Sequence, residues 1–299
     1  MTKHLIIVNP VAGKGAGEQS IPTITNRLTE LGLEFDLVRT ERPWHAAELA
    51  QQACQTGYEA VVAVGGDGTS NEVLNGLMQA KQNGLTPCKL GVLCVGRGND
   101  FAYGMGIPTD LEEGCLTLAH GYPRTIDVGH VAGGDYPEGR YFGNGLGIGF
   151  DAVVGFEAAK FKRLGGFVGY LVAALKTIYI FYPPPKIEVT YDDQHLIDRL
   201  LMVSIMNGRR MGGGFLMAPD GQPDDGQFHL CIANQVPRLR IFGLIGHFTK
   251  GTQATQPTIT MGRATRVSVT ALDGSLPVHA DGETICTAGE QLSLTLHPA

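Results

Sequence analysis

Three glycine-rich stretches hold most of the residues in this 299-residue chain whose types and spacing could do chemistry. Asn9-Pro10-Val11-Ala12-Gly13-Lys14-Gly15 follows an apolar run at 5–8. Gly65-Gly66-Asp67-Gly68-Thr69-Ser70-Asn71 follows the valine-rich run 61–64, and Gly96-Arg97-Gly98-Asn99-Asp100 follows 90–95. A buried strand that empties into glycines before a helix is a place to bind an anion. Glycine keeps no Cβ in the way, and the first N–H groups of the helix point at the ligand. Neither 13–17 nor 96–100 is a standard phosphate motif: Gly13-Lys14-Gly15-Ala16-Gly17 lacks the Gly-Lys-Ser/Thr ending and the GxGxxG spacing. Asp67 puts a carboxylate where bare phosphate would be repelled, which makes sense if it receives a hydroxyl or works beside a metal. On local physics alone, a plain strand–helix turn with an Asx-turn aspartate stays open.

Two acidic stretches lie further along. Gly212-Gly213-Gly214 leads to Asp224-Asp225-Gly226, a combination that suits a cation held by oxygen ligands and equally suits a hairpin turn. His279-Ala280-Asp281-Gly282-Glu283 carries two carboxylates one residue apart. They share a face if the segment is extended, and a bend at Gly282 would let both converge on one proton or cation.

The elements that must position these residues change character near residue 125. Before it, strands and helices alternate as in parallel βα units, with helices expected at about 18–31 and 44–55 and a strand at 35–38. Thr69-x-x-Glu72 has capping-box spacing, so a helix should begin just after the second glycine turn. Val73, Leu74, Leu77 and Met78 would face the sheet, with Asn71 and Asn75 together on another face. After residue 125, short strand-like runs (125–131, 186–191, 200–205, 228–233, 266–270, 291–296) separated by turn residues suggest an antiparallel sandwich. One long helical insertion at about 151–181 interrupts them, with Leu171, Ala174, Leu175 and Ile178 as its apolar stripe. The expected organisation is a domain at 1–124 and a second at 125–299, with a ligand cleft between them.

Composition narrows the classes. A formal net charge of −6 argues against broad nucleic-acid binding. The six cysteines show no CxxC spacing and the nine histidines no zinc pattern, so a reduced cytoplasmic chain is expected rather than a disulfide scaffold or zinc site. The N-terminus reads as a first strand rather than a signal peptide. The most apolar stretch, 165–182, is interrupted by Lys176 and followed by Pro183-Pro184-Pro185, and reads as a core or cleft helix, not a transmembrane segment.

Gly65-Gly66-Asp67-Gly68-Thr69 continued by Asn71-Glu72-Val73-Leu74-Asn75-Gly76-Leu77 closely resembles the nucleotide signature of the diacylglycerol kinase catalytic-domain family, which includes bacterial YegS-like lipid kinases and sphingosine kinases. NAD kinases share only the shorter Gly-Gly-Asp-Gly. The resemblance covers nearly the whole chain in matching order. It implies an α/β N-terminal domain with a parallel sheet and a C-terminal antiparallel β-sandwich with a helical insertion. It implies ATP and Mg²⁺ as cofactors and a lipid acceptor at the membrane surface, diacylglycerol leading, for a cytoplasmic enzyme of lipid metabolism with peripheral membrane association; a homodimer is left open.

Carried over residue by residue, the resemblance places Asn9, Thr40, Gly65, Gly66, Asp67, Gly68, Thr69, Ser70, Asn71, Arg97, Asn99 and Asp100 at the nucleotide, with Asp67 also catalytic. The Asp225 side chain and the main-chain carbonyls of Gln222 and Gln227 would hold a Mg²⁺ that can organise the fold rather than touch ATP. Asp281 and Glu283 would supply the base for the lipid hydroxyl. Asp127 and the segment 144–152 also match family segments, and Lys160, Lys162 and Arg163 could meet anionic headgroups. The family pattern Pro-x-Gly-Thr-x-Asn-Asp-Phe-Ala departs here, with Val95 near the proline position and Arg97 in place of threonine. Two rivals follow: a kinase of a soluble acceptor, as NAD kinases are, and a catalytically weak lipid-binding or regulatory member of the fold.

Overall fold

A computed structural model describes residues 3–161 and 166–299. The chain divides into two compact units, Met1–Thr125 and Ile126–Ala299.

In the first unit four parallel strands, β1 (Lys3–Val8), β2 (Glu34–Arg39), β3 (Ala60–Gly65) and β4 (Lys89–Cys94), lie in the order β2-β1-β3-β4. Alternation along the strands fills two cores. Leu5, Ile7, Val61 and Ala63 pack under helices α2 (His45–Thr56) and α3 (Asp67–Gln82). Ile6, Val8, Val62 and Val64 pack with Ile24 and Leu28 of α1 (Ala12–Glu30) and Cys115 of α5 (Leu111–His120). Both faces of the sheet are therefore covered, which is why the strands read as continuous apolar runs. Gly76 lets α3 approach α2: a Cβ there would lie 2.1 Å from the carbonyl oxygen of Ala47.

Two sequence expectations change here. Regular α1 begins after a turn, because Gly13, Lys14 and Gly15 all have positive φ. The capping box does not form as expected: Gly66 is the N-cap of α3, Thr69 takes a hydrogen bond from the Asn9 side-chain amide, and Glu72 instead accepts the backbone N–H of Ala46 at the start of α2. The residue before α2, Trp44, adopts a left-handed conformation.

The second unit is built on one antiparallel sheet. Eleven strands take part among the described residues: β5 (Val128–Gly133), β6 (Tyr136–Phe142), β7 (Gly145–Gly149), β8 (Lys186–Tyr191), β9 (Gln194–Met206), β10 (Phe228–Asn234), β11 (Ile259–Ala264), β12 (Arg266–Ala271), β13 (Leu276–Ala280), β14 (Glu283–Gly289) and β15 (Gln291–His297). Their order is β14-β13-β7-β9-β8-β12-β15-β5-β6, with β10 joining β9 to β11. Phe142, Leu146, Val203, Ile205, Phe228 and Val278 sit in its main core, where the Phe142 and Phe228 rings stack with centroids 5.6 Å apart.

The single long insertion is corrected to two helices, α6 (Phe150–Ala159) and α7 (Gly166–Ile180). Lys162 and Arg163 lie outside the described residues. The buried face of α7 is Ala173, Ala174, Thr177 and Ile178, whereas Leu175 is exposed. The half-buried sequence pattern also conceals α8 (Arg238–Lys250), which completes a second core with α6 and α7. No helix among the described residues is long and apolar enough to cross a membrane.

Candidate active site

In an open parallel sheet, ligands bind beyond the carboxyl ends of the strands where the strand order reverses. Here that point lies between β1 and β3, because β1 leads outward to β2 and β3 leads the other way to β4. The two predicted loops leave from these strands. Asn9 Nδ2 donates to Thr69 Oγ1 at 3.1 Å and fastens one loop to the other. The third loop joins them through main chain, since the Val95 and Gly96 N–H groups both donate to the Gly65 carbonyl at 3.0 and 3.1 Å.

The glycines make this approach possible. A Cβ on Gly13 would lie 2.2 Å from the Val95 carbonyl oxygen, and one on Gly96 would lie 2.4 Å from Gly66 Cα. A Cβ on Gly17 would meet the Asn9 carbonyl oxygen at 2.0 Å. Asn9, Gly65 to Asn71, Asn99 and Asp100 are thus brought together. Thr40 joins at the edge, its N–H donating to the Val8 carbonyl at 2.8 Å, and Arg97 is exposed on the third loop.

The carboxylates are placed with equal economy. Asp67 Oδ1 accepts the Phe101 N–H at 2.9 Å in the first turn of α4 (Asp100–Met105). Its other oxygen comes within 2.9 Å of where Gly98 would carry a Cβ, and Asp100 Oδ2 within 3.6 Å of the same point. Two carboxylates beside a residue without a side chain suit a hard cation that arrives on phosphate oxygens. In the Asp224–Gly226 turn the Asp225 carboxylate has protein partners on both oxygens. Asp225 Oδ1 accepts the Gln227 N–H at 3.1 Å, its Oδ2 meets His229 Nε2 at 2.9 Å, and the Gln222 N–H points to the same His229 nitrogen at 3.5 Å. Gly212 and Gly214 pack on the Tyr170 and Phe167 rings of α7.

In the second unit Asp281 is buried in a left-handed turn (φ 48°) that continues through Gly282 (φ 83°). Its carboxylate accepts the N–H groups of Gly143, Asn144 and Gly145 at 2.7, 3.0 and 2.9 Å. The Asn144 carbonyl in turn accepts the N–H groups of Asn207 and Gly208. Glu283 is exposed at the start of β14, so the two carboxylates of this segment have different surroundings. Asp127 closes a neighbouring network, its carboxylate accepting the Gly226 and Ala299 N–H groups at 2.8 Å each.

Beside these residues lies a cavity lined by apolar side chains from α6, α7, α8 and β9 together with Asp151 and His279. The apolar segment 165–182 and the family-like segment 144–152, which holds Asp151, point to it, whereas Ser204 and His279 are scattered in sequence and carry no such signal. Burial pushes the Asp151 carboxyl up to about 7 from an ordinary 3.8, despite a 2.7 Å hydrogen bond from Ser204 Oγ. Burial pushes His279 down to about 4 from 6.5.

The signs are opposite in effect. Between pH 3.8 and about 7 the folded chain keeps the Asp151 proton that the unfolded chain has lost, so its penalty is absent below this window and complete above it. His279 supports stability fully above 6.5 and loses it as pH falls toward 4. Asp151→Asn is therefore expected to stabilise the chain more at pH 8 than at pH 5, as read by urea unfolding at both values. An equal effect at the two would refute the burial argument.

The diacylglycerol kinase catalytic domain model matches residues 3–131, and the YegS C-terminal NAD kinase beta sandwich-like domain model matches 144–298. The chain belongs to the diacylglycerol kinase family. It is similar to the diacylglycerol kinase of Bacillus subtilis, 27% identical over 95% of this chain and 90% of that one. It is also similar to the diacylglycerol kinase of Staphylococcus carnosus, 26% identical over 93% and 87%. A crystal structure of a diacylglycerol kinase from Bacillus anthracis shares the fold, with a TM-score of 0.73 at 20% identity over 99% of this chain and 94% of that one.

Proposed function

We propose that this chain is an ATP-dependent lipid kinase that transfers the γ-phosphoryl group of ATP to a lipid hydroxyl, with a diacylglycerol-like acceptor leading. The observation that carries the lipid part of this reading is the apolar cavity of the second unit. Phe150, Val154, Met211, Phe215, Leu244 and Phe248 line it, walls that give a soluble, charged acceptor such as NAD little to replace its water. The names of the relatives agree in substrate class.

The loops at 9–17, 65–71 and 95–100 hold the nucleotide, offering main-chain N–H groups and the first turn of α3 to phosphate oxygens. Asp67 and Asp100 would hold the Mg²⁺ that accompanies ATP, which offsets phosphate charge when bound. Asn9, Thr69 and Asn99 orient the loops, and Arg97 offers a fork of donors where the family carries threonine. Asp281 takes the proton of the acceptor hydroxyl, with Glu283 as the alternative. The turn at 143–145 fixes the Asp281 carboxylate in one orientation, as a base must be fixed to reach its proton. The enzyme would work at the membrane surface, where its acceptor resides.

The test is transfer of labelled γ-phosphate from MgATP into diacylglycerol, monoacylglycerol, sphingosine, ceramide and phosphatidylglycerol, with NAD as soluble control. Label in a lipid is the expected result. Label in NAD alone would overturn the lipid assignment, and lipid binding without any transfer would point to a non-catalytic member of the fold.

A further inference from the structure

Two of the chain's six cysteines differ from the others in exposure and in company. Cys94, Cys115, Cys231 and Cys286 are buried, whereas Cys54 and Cys88 are half-buried. Cys54 stands in the last turn of α2, and Cys88 directly precedes β4. Both pack with Tyr58 on the rim of the core under α2 and α3. They meet there: the Cys88 N–H donates to Cys54 Sγ at 3.4 Å, and the Cys88 thiol donates to the Tyr58 carbonyl at 3.0 Å. The Cys54 thiol donates one turn back to the Ala50 carbonyl at 3.4 Å.

With ordinary bond lengths, a sulfur this close to the other residue's main-chain nitrogen leaves the two α-carbons at most about 7 Å apart, the limit of what a disulfide bridges without moving backbone. Cys54 is two residues from the end of its helix, where the last turn yields most readily. The order of reaction follows from the surroundings of the two sulfurs. Burial first, and the neighbouring Cys54 thiol second, push the Cys88 thiol up to about 12. A thiolate is the attacking species, so the first exchange falls to Cys54. Once Cys54 is capped, Cys88 loses one of the causes that hold its proton.

We propose that Cys54 and Cys88 form a modification site for small-molecule disulfides, closed to an intramolecular cystine by two thiol–disulfide exchanges. The Cys54 thiolate attacks one sulfur of the small disulfide, forming a mixed disulfide and expelling a thiolate that takes up a proton. Cys88 gives up its proton and attacks Cys54 Sγ, forming the protein's own S–S bond and expelling the second small thiol. The protein loses two electrons and two protons, and the small disulfide is reduced to two thiols. The bond forms away from the three glycine loops: Cys88 enters β4 at its amino end, and the loop at 95–100 leaves from the other end. Helix α2 is already held at its start, where Glu72 accepts the Ala46 N–H, and the new bond would hold its last turn as well. It would close a loop of about 35 residues and so restrain the unfolded chain. Its effect therefore falls on the stability of the first unit, and the inference does not depend on the kinase reading.

The test treats the folded wild-type protein with oxidised glutathione in mildly alkaline buffer. Intact mass and peptide mapping without reductant identify the product, and scanning calorimetry reads the melting midpoint. The expected product is two hydrogens lighter, carries a single Cys54–Cys88 cross-link, and leaves the other four cysteines open to alkylation after unfolding. Its midpoint is expected to rise by several degrees and to return with dithiothreitol. Cys88→Ser is expected to stop at a glutathione adduct on Cys54, and Cys54→Ser to take up glutathione at least tenfold more slowly than Cys88→Ser. Three results in the wild type would each overturn the proposal: glutathione retained on either residue with no cross-link, a cross-link to a different cysteine, or six unreacted thiols. A Cys54–Cys88 cross-link that leaves the midpoint unchanged or lowers it would overturn the stabilising role.

Discussion

Asp281→Asn is expected to lower lipid phosphorylation by about 10²–10⁴-fold, the usual contribution of a positioned general base. The same substitution should cost about 1–3 kcal/mol of stability, because three buried backbone N–H groups lose a charged acceptor. An asparagine offers those donors one oxygen, and its amide would face an N–H at the other. Initial rates with saturating MgATP, paired with urea melts, separate the chemical effect from the structural one. Exposed Glu283→Gln should leave stability within about 0.5 kcal/mol. Should it abolish transfer while Asp281→Asn, still folded, retains it, Glu283 is the base and Asp281 only braces the 143–145 turn.

Gly96→Ala is expected to weaken ATP binding at least tenfold and to destabilise the chain by about 1–3 kcal/mol, the ordinary cost of overpacking. The new methyl would lie 2.4 Å from Gly66 Cα and 2.8 Å from Asn99 Oδ1. Gly66 belongs to the turn at the start of α3, and backbone cannot swing aside as a long side chain would. Gly155→Ala is the control, because its methyl would meet nothing within 4 Å. Nucleotide calorimetry with thermal melts checks both. Unchanged ATP affinity in folded Gly96→Ala would show that the packing of the two loops does not shape the nucleotide site.

Much of the first unit was legible in the sequence because its physics is local. Continuous apolar strands emptying into glycines announce a doubly covered parallel sheet and the loops at its carboxyl edge, and those loops do meet at the switch between β1 and β3. The capping box misled because Glu72 has a stronger use across the fold, closing the N-terminus of α2. In the second unit, β6, β7, β11, β13 and β14 escaped notice. They carry glycine, proline or polar residues at positions that only their neighbours in the sheet make tolerable. Glycines beside an acidic turn, as at Gly212–Gly214, read alike in sequence whether they make room for an ion or for aromatic rings. His279 was invisible as a cavity residue for a different reason. Nothing in its own neighbourhood says that Gly147, more than a hundred residues earlier, packs closely against it.

Trp44, in its left-handed position before α2, is the chain's one tryptophan. Indole emission therefore reports on the first unit alone, while the second unit contributes only tyrosine and phenylalanine. Excitation at the red edge, where tyrosine is dark, follows the melting of the first unit by itself, and far-ultraviolet dichroism follows both. Comparing the two curves on the unmodified protein reveals whether the units unfold together or one after the other, with no label to introduce.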